Sequence, residues 1–114
     1  MRTALIVDDD SNVTQTLRLW LESVEYDVEV AETGQKALEL FKPGRFDAVI
    51  LDLHLPDVSG KFVYDNLKEN QVIVVMSGDP LLLEDFPLKI AKPFRPKELL
   101  NFLEERMKGK KRFV

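Results

Sequence analysis

The chain has no cysteine, which excludes a disulfide framework, a zinc–thiolate cluster and a thiol nucleophile. Histidine occurs once, as His54. No apolar run is longer than a few residues, so a bilayer-spanning helix is not expected. The opening residues Met1-Arg2-Thr3-Ala4-Leu5-Ile6-Val7 meet Asp8-Asp9-Asp10 too soon for a signal peptide. There is no internal repeat, no low-complexity tract and no excess of basic residues; the net charge of −4 argues against a nucleic-acid binder. What remains is 114 residues, 45% apolar and 32% charged. That is one domain, long enough to bury roughly two-thirds of its unfolded surface without disulfide or metal staples. A small soluble module of the cytoplasm is expected.

Short β-prone runs alternate with helical patterns along the chain. Residues 3–7 form the first run. Val13, Leu17, Trp20, Leu21 and Val24 then recur at helical spacing, with Ser11 or Asn12 as N-cap, and Leu17, Trp20 and Leu21 are assigned to the core. A weaker strand covers 28–31. Thr33 caps a second helix carrying Ala37, Leu38 and Phe41, stopped by Pro43-Gly44. Residues 48–51 and 72–76 are strands apolar on both faces, separated by a helix over 60–69. The stretch 79–88 has room for at most a short helix. Ile90-Ala91 is a brief last strand, and Pro96 opens a final helix carrying Leu99, Leu100, Leu103 and Met107. Strands apolar on both faces and alternating with helices predict a three-layer, doubly wound parallel sheet of five strands, with the fourth helix shortened or missing. The domain spans 1–107, and 108–114 is a basic C-terminal tail.

Polar residues fall where such a sheet places its ligands, at the carboxyl ends of the strands. Asp8 and Asp9 end the first strand, Asp52 the third, Ser77 the fourth and Lys92 the fifth. Three crowded carboxylates repel, and such a cluster persists when a cation neutralises it. An all-oxygen donor set selects a hard ion such as Mg²⁺. A lysine and a hydroxyl beside it suit a phosphoryl group, and a carboxylate can serve as its nucleophile. The constellation reads as metal-assisted phosphoryl transfer. Each residue alone has a plainer reading: aspartates cap helices, serine forms turns, and lysine is common on surfaces. Asp10 is assigned to the helix N-terminus on that ground, and Asp57 and Asp79 to ordinary strand-end or turn positions. Four of five strand ends carrying such residues by accident is the weaker account.

These segments resemble the receiver domain of bacterial two-component response regulators across nearly the whole length. The carriers are Ile6-Val7-Asp8-Asp9-Asp10, the loop Asp52-Leu53-His54-Leu55-Pro56-Asp57-Val58-Ser59-Gly60, Val75-Met76-Ser77-Gly78, and Lys92-Pro93-Phe94. The resemblance implies the flavodoxin-like receiver fold and a switch that catalyses only its own aspartyl phosphorylation and dephosphorylation. It makes Asp52 the phosphoacceptor. Asp9, Asp52 and the backbone carbonyl of His54 become Mg²⁺ ligands, with Asp8 acting through a water. Lys92 would pair with Asp52 and then with the phosphoryl oxygens, and Ser77 would hydrogen-bond them. It further implies a cis Lys92-Pro93 bond, room for the donor at Gly78, and a His54 side chain that tunes access of hydrolytic water. The implied partner is a sensor histidine kinase or phosphotransfer protein, docked on Asn12, Val13, Thr16 and the Pro93-Phe94-Arg95 loop. A downstream protein partner or output domain would read the switch.

The chain departs from the family pattern between Ser77 and Lys92. That segment is short, and Lys89 stands where a switch tyrosine or phenylalanine is usual, with Phe86 and Phe94 as candidate substitutes. A stand-alone receiver is expected, a fragment of a longer chain being the alternative. Two other functions fit parts of the pattern. A receiver-like interaction module signalling without phosphorylation would have lost Asp52, Asp9 or Lys92. An aspartyl-nucleophile phosphatase would carry a second aspartate where His54 stands. A flavin carrier lacks its phosphate loop after the first strand.

Overall fold

Apolar residues alternate between the two faces of the central strands, and the architecture follows from that alternation. In the computed structural model, which describes residues 1–107, the order is β1 (Arg2–Val7), α1 (Ser11–Ser23), β2 (Tyr26–Ala31), α2 (Gly34–Leu40) and β3 (Ala48–Asp52). Then follow α3 (Gly60–Leu67), β4 (Ile73–Ser77), α4 (Pro80–Leu83), β5 (Lys89–Ala91) and α5 (Pro96–Met107). The strands form one parallel sheet in the order β2-β1-β3-β4-β5. On one face Ala4, Ile6, Ile50, Val74 and Met76 pack against Leu17 and Leu21 of α1 and Leu99 and Leu103 of α5. On the other, Leu5, Val7, Leu51, Ile73 and Val75 pack against Ala37, Val63, Leu67 and Leu83 from α2, α3 and α4. This is the expected three-layer fold. The tail 108–114 lies outside the described residues.

Several details differ from the sequence reading. Asp10, rather than Ser11 or Asn12, is the N-cap of α1: its backbone is extended and its carboxylate accepts the Asn12 N–H at 2.9 Å. Leu17 and Leu21 are buried, but Trp20 is 43% exposed and leaves the core. At about 100° per residue it lies about 100° round the helix from Leu21, at the edge of the apolar stripe. Helix α2 ends at Leu40, and Phe41 is its extended C-cap. The fourth helix is a single turn with Pro80 at its start and Asp79 as its cap. Pro87 disfavours helical backbone at the residue before it, which keeps the helix from running on to β5. The Lys92–Pro93 bond is cis, as expected. Among the described residues, no helix is long and apolar enough to cross a membrane.

Candidate functional site

The order β2-β1-β3 reverses direction in sequence at β1, and a crevice opens there beyond the strands' carboxyl ends. The first strand delivers Asp8, fully buried, and Asp9, exposed; β3 delivers Asp52, 4% exposed; β4 delivers Ser77, fully buried. Lys92 follows β5, with its side chain one-quarter exposed. Its backbone N–H donates to the Ser77 carbonyl at 2.9 Å, so the lysine is tied to β4 before its side chain reaches the site. Its ammonium then donates to Asp8 Oδ2 at 2.9 Å and to Asp52 Oδ2 at 3.1 Å.

The electrostatics follow from this packing. Burial pushes the Asp8 carboxyl above its ordinary pKa, and the charge of Asp52 adds to the push; the Asp10 N–H and Lys92 oppose it only in part. Burial works against the Lys92 ammonium, but hydrogen bonds to Asp8 and Asp52 outweigh it and raise the lysine pKa. Lys92 is therefore a fixed positive charge beside carboxylates that it does not fully neutralise. One oxygen each of Asp8, Asp9 and Asp52 lie within 4.8 Å of one another. A donor set made only of carboxylate oxygens, short of positive charge, fits a hard divalent cation such as Mg²⁺.

The loop 53–59 that follows Asp52 is folded tightly around this centre. The Asp52 Oδ1 accepts the His54 N–H at 2.9 Å, and Gly60 N–H closes the loop onto the Leu53 carbonyl. A Cβ at position 60 would stand 2.4 Å from Leu53 Cα, so the loop requires glycine there. At Gly78 a Cβ would meet nothing within 4 Å, so that rim of the site is open. Asn12, Val13, Thr16, Lys92, Pro93 and Phe94 line one groove of about 580 Å³ between α1 and the loop after β5; Arg95 is not among its lining residues. Lys89 is exposed on β5. Phe86 is buried edge-on against Tyr64 at 4.8 Å, and Phe94 is half-buried on the α1 side.

Two contacts escaped the sequence reading. Asp57 is not an ordinary loop residue, because its two carboxylate oxygens accept the Gly34 and Gln35 N–H groups, both at 2.9 Å. It thereby fixes the loop 53–59 to the start of α2. The Gln35 N–H first, and then the Gly34 N–H, hold its carboxyl below the usual pKa. The second is a side-chain contact between His54 and Ser77 at 3.2 Å. Both join residues more than twenty positions apart, and no local pattern announces them.

The family model for the response regulator receiver domain matches residues 4–104. Over 77 residues the chain is 35% identical to the cell cycle response regulator CtrA of Brucella ovis, covering 65% of this chain and 33% of that protein. It thus spans about a third of the length of that relative. Among solved structures, the non-phosphorylated HemR receiver domain of Leptospira biflexa superposes with a TM-score of 0.86 at 29% identity, with all of both chains covered. The chemotaxis response regulator CheY4 of Vibrio cholerae gives 0.83 at 25% identity, covering 92% of this chain and 98% of that one. With β1 through α5 lying almost wholly inside the matched span, the chain belongs to the response regulator receiver domain family of two-component systems.

Proposed function

We propose that this receiver is a phosphorylation switch in which Asp52 accepts a phosphoryl group from a phosphohistidine, with Mg²⁺ beside it. The observation that carries the reading is the convergence of Asp8, Asp9, Asp52, Ser77 and Lys92, from four strand ends, on one crevice. Asp9, Asp52 and the His54 carbonyl would hold the ion, with Asp8 acting through a water. When bound, Mg²⁺ offsets charge on the phosphoryl oxygens and on the carboxylates around them.

The residues of the chain do the rest. A carboxylate oxygen of Asp52 attacks phosphorus; the new O–P bond forms as the donor's N–P bond breaks. The electron pair leaves on the donor imidazole nitrogen, which takes a proton from solvent. Lys92 is the fixed cation at the Asp52 carboxylate and follows the charge onto the transferred oxygens. Ser77, fully buried at the end of β4, offers a hydroxyl to those oxygens. Its movement toward them would draw on β4 and change the surface that a downstream partner or output domain reads. The apolar groove of Val13, Pro93 and Phe94 opens beside Lys92. It suits the helical face of a sensor histidine kinase or phosphotransfer protein that presents the phosphohistidine.

The test is transfer from a phosphorylated phosphotransfer protein, followed by borohydride reduction, which converts an aspartyl phosphate to homoserine. Homoserine at position 52 in the wild type, and none in Asp52→Asn, is the expected result. Phe94→Ala should slow transfer from the protein donor more than from acetyl phosphate. Label at another residue, or none, contradicts the reading.

A further inference from the structure

The fully buried hydroxyl of Ser77 meets two partners. It accepts the Asp79 backbone N–H at 2.9 Å, and it lies 3.2 Å from Nε2 of His54. A hydroxyl has one proton to give and two lone pairs to fill. With the imidazole proton on Nε2, these two contacts would fill both lone pairs and leave the buried hydroxyl proton with neither of them to bond. With the imidazole proton on Nδ1, Ser77 donates to Nε2 and its oxygen still accepts from Asp79. His54 is an exposed residue, so water is within reach of its ring. The second arrangement satisfies every group, and buried polar groups in proteins are nearly always satisfied.

We propose that His54 is a positioning residue that keeps the Ser77 hydroxyl proton engaged until a phosphoryl group on Asp52 takes it. The same residue donates its backbone N–H to Asp52 Oδ1 at 2.9 Å, so it links the acceptor carboxylate to the hydroxyl across the ends of β3 and β4. A phosphoryl oxygen that recruits Ser77 must displace the imidazole. His54 thus opposes phosphorylation by about the net worth of one neutral hydrogen bond, roughly threefold to tenfold in rate. This is separate from screening of hydrolytic water, since it acts before the acyl phosphate exists and only through Ser77. It rests on the reading of Asp52 as phosphoacceptor.

Two measurements on the full chain test it. His54 is the only histidine, so its ring nitrogens give one unambiguous set of ¹⁵N NMR signals. The Nδ1–H tautomer should dominate in the wild type, with a weaker preference in Ser77→Ala; an Nε2–H tautomer in the wild type overturns the proposal. Then the initial rate of adduct formation with acetyl phosphate and Mg²⁺ is compared across variants. His54→Leu should be about threefold to tenfold faster than wild type, and His54→Gln, which keeps an acceptor at the Nε2 position, should return toward it. In the Ser77→Ala background His54→Leu should change nothing. An equal acceleration there, or none in the wild-type background, overturns the proposal while leaving Asp52 as acceptor. An adduct that persists in Asp52→Asn overturns the acceptor reading itself, and this proposal with it.

Discussion

Strands β3 and β4 are buried at every residue, whereas β5 exposes Lys89 and Ala91 and half-buries Ile90 between them. The central pair is covered by helices on both faces. Beside the edge strand α4 is a single turn, with Leu81 and Leu82 left exposed, and Ile90 is only partly buried against the core on the α1 and α5 face. Yet Lys92, whose ammonium donates to both Asp8 and Asp52, hangs from this weakly covered strand. It is held by two kinds of bond to the centre of the sheet: its backbone N–H to Ser77 O, and its ammonium to Asp8 and Asp52. The site itself therefore fastens the fifth strand. In the core, packing positions the chemistry; at the edge, the chemistry helps to position the chain.

Substitutions should separate the two regimes. The largest effect on stability is expected at the centre: Ile50→Ala, at a fully buried position, should cost about 2–5 kcal/mol in urea unfolding. Ile90→Ala, half-buried at the edge, should cost about 1 kcal/mol. Equal costs would break the contrast. Next comes Lys92→Ala, which removes the fixed cation and should slow phosphorylation by acetyl phosphate about 100-fold. It should also speed amide hydrogen exchange in β5 more than in β3, and unchanged exchange at Ile90, which pairs with Met76 of β4, would show that the edge is held by other means.

A smaller effect is expected at Asp57, which links the loop 53–59 to α2. Asp57→Ala should lower Tm at pH 7 by a few degrees. Because the folded-state pKa lies below the ordinary value of 3.8, this contribution is present above pH 3.8 and is lost as pH falls through the lowered value. The Tm difference from wild type should therefore hold from pH 7 to 5 and shrink below 3.8. The smallest effect is expected at Leu81, 72% exposed on α4: Leu81→Ser should shift stability by no more than about 0.5 kcal/mol.

The same contrast marks what the sequence disclosed. Both-face apolar runs over 48–51 and 72–76 announced buried parallel strands, and the polar residue ending each placed Asp52 and Ser77 at the crevice. The abbreviated fourth helix was legible from the two prolines and the short interval before Lys92. Helical spacing alone put Trp20 in the core, since periodicity gives the direction of an apolar face but not its width. The Asp10 cap lay one residue before the expected positions, where aspartate, serine and asparagine compete for the same backbone N–H groups. Asp57 on the start of α2 and His54 on Ser77 are contacts across the fold, settled only when β1, β3 and β4 lie side by side.

The crevice is proposed to be a Mg²⁺-dependent phosphoacceptor built on Asp52. Intact mass after incubation with acetyl phosphate, with and without Mg²⁺, on the wild type and Asp52→Asn, tests it most directly. A single phosphoryl adduct that requires Mg²⁺ and is absent from the variant is the expected result. A folded, Mg²⁺-binding protein with no adduct under any condition would contradict it and leave an interaction module that signals without phosphorylation.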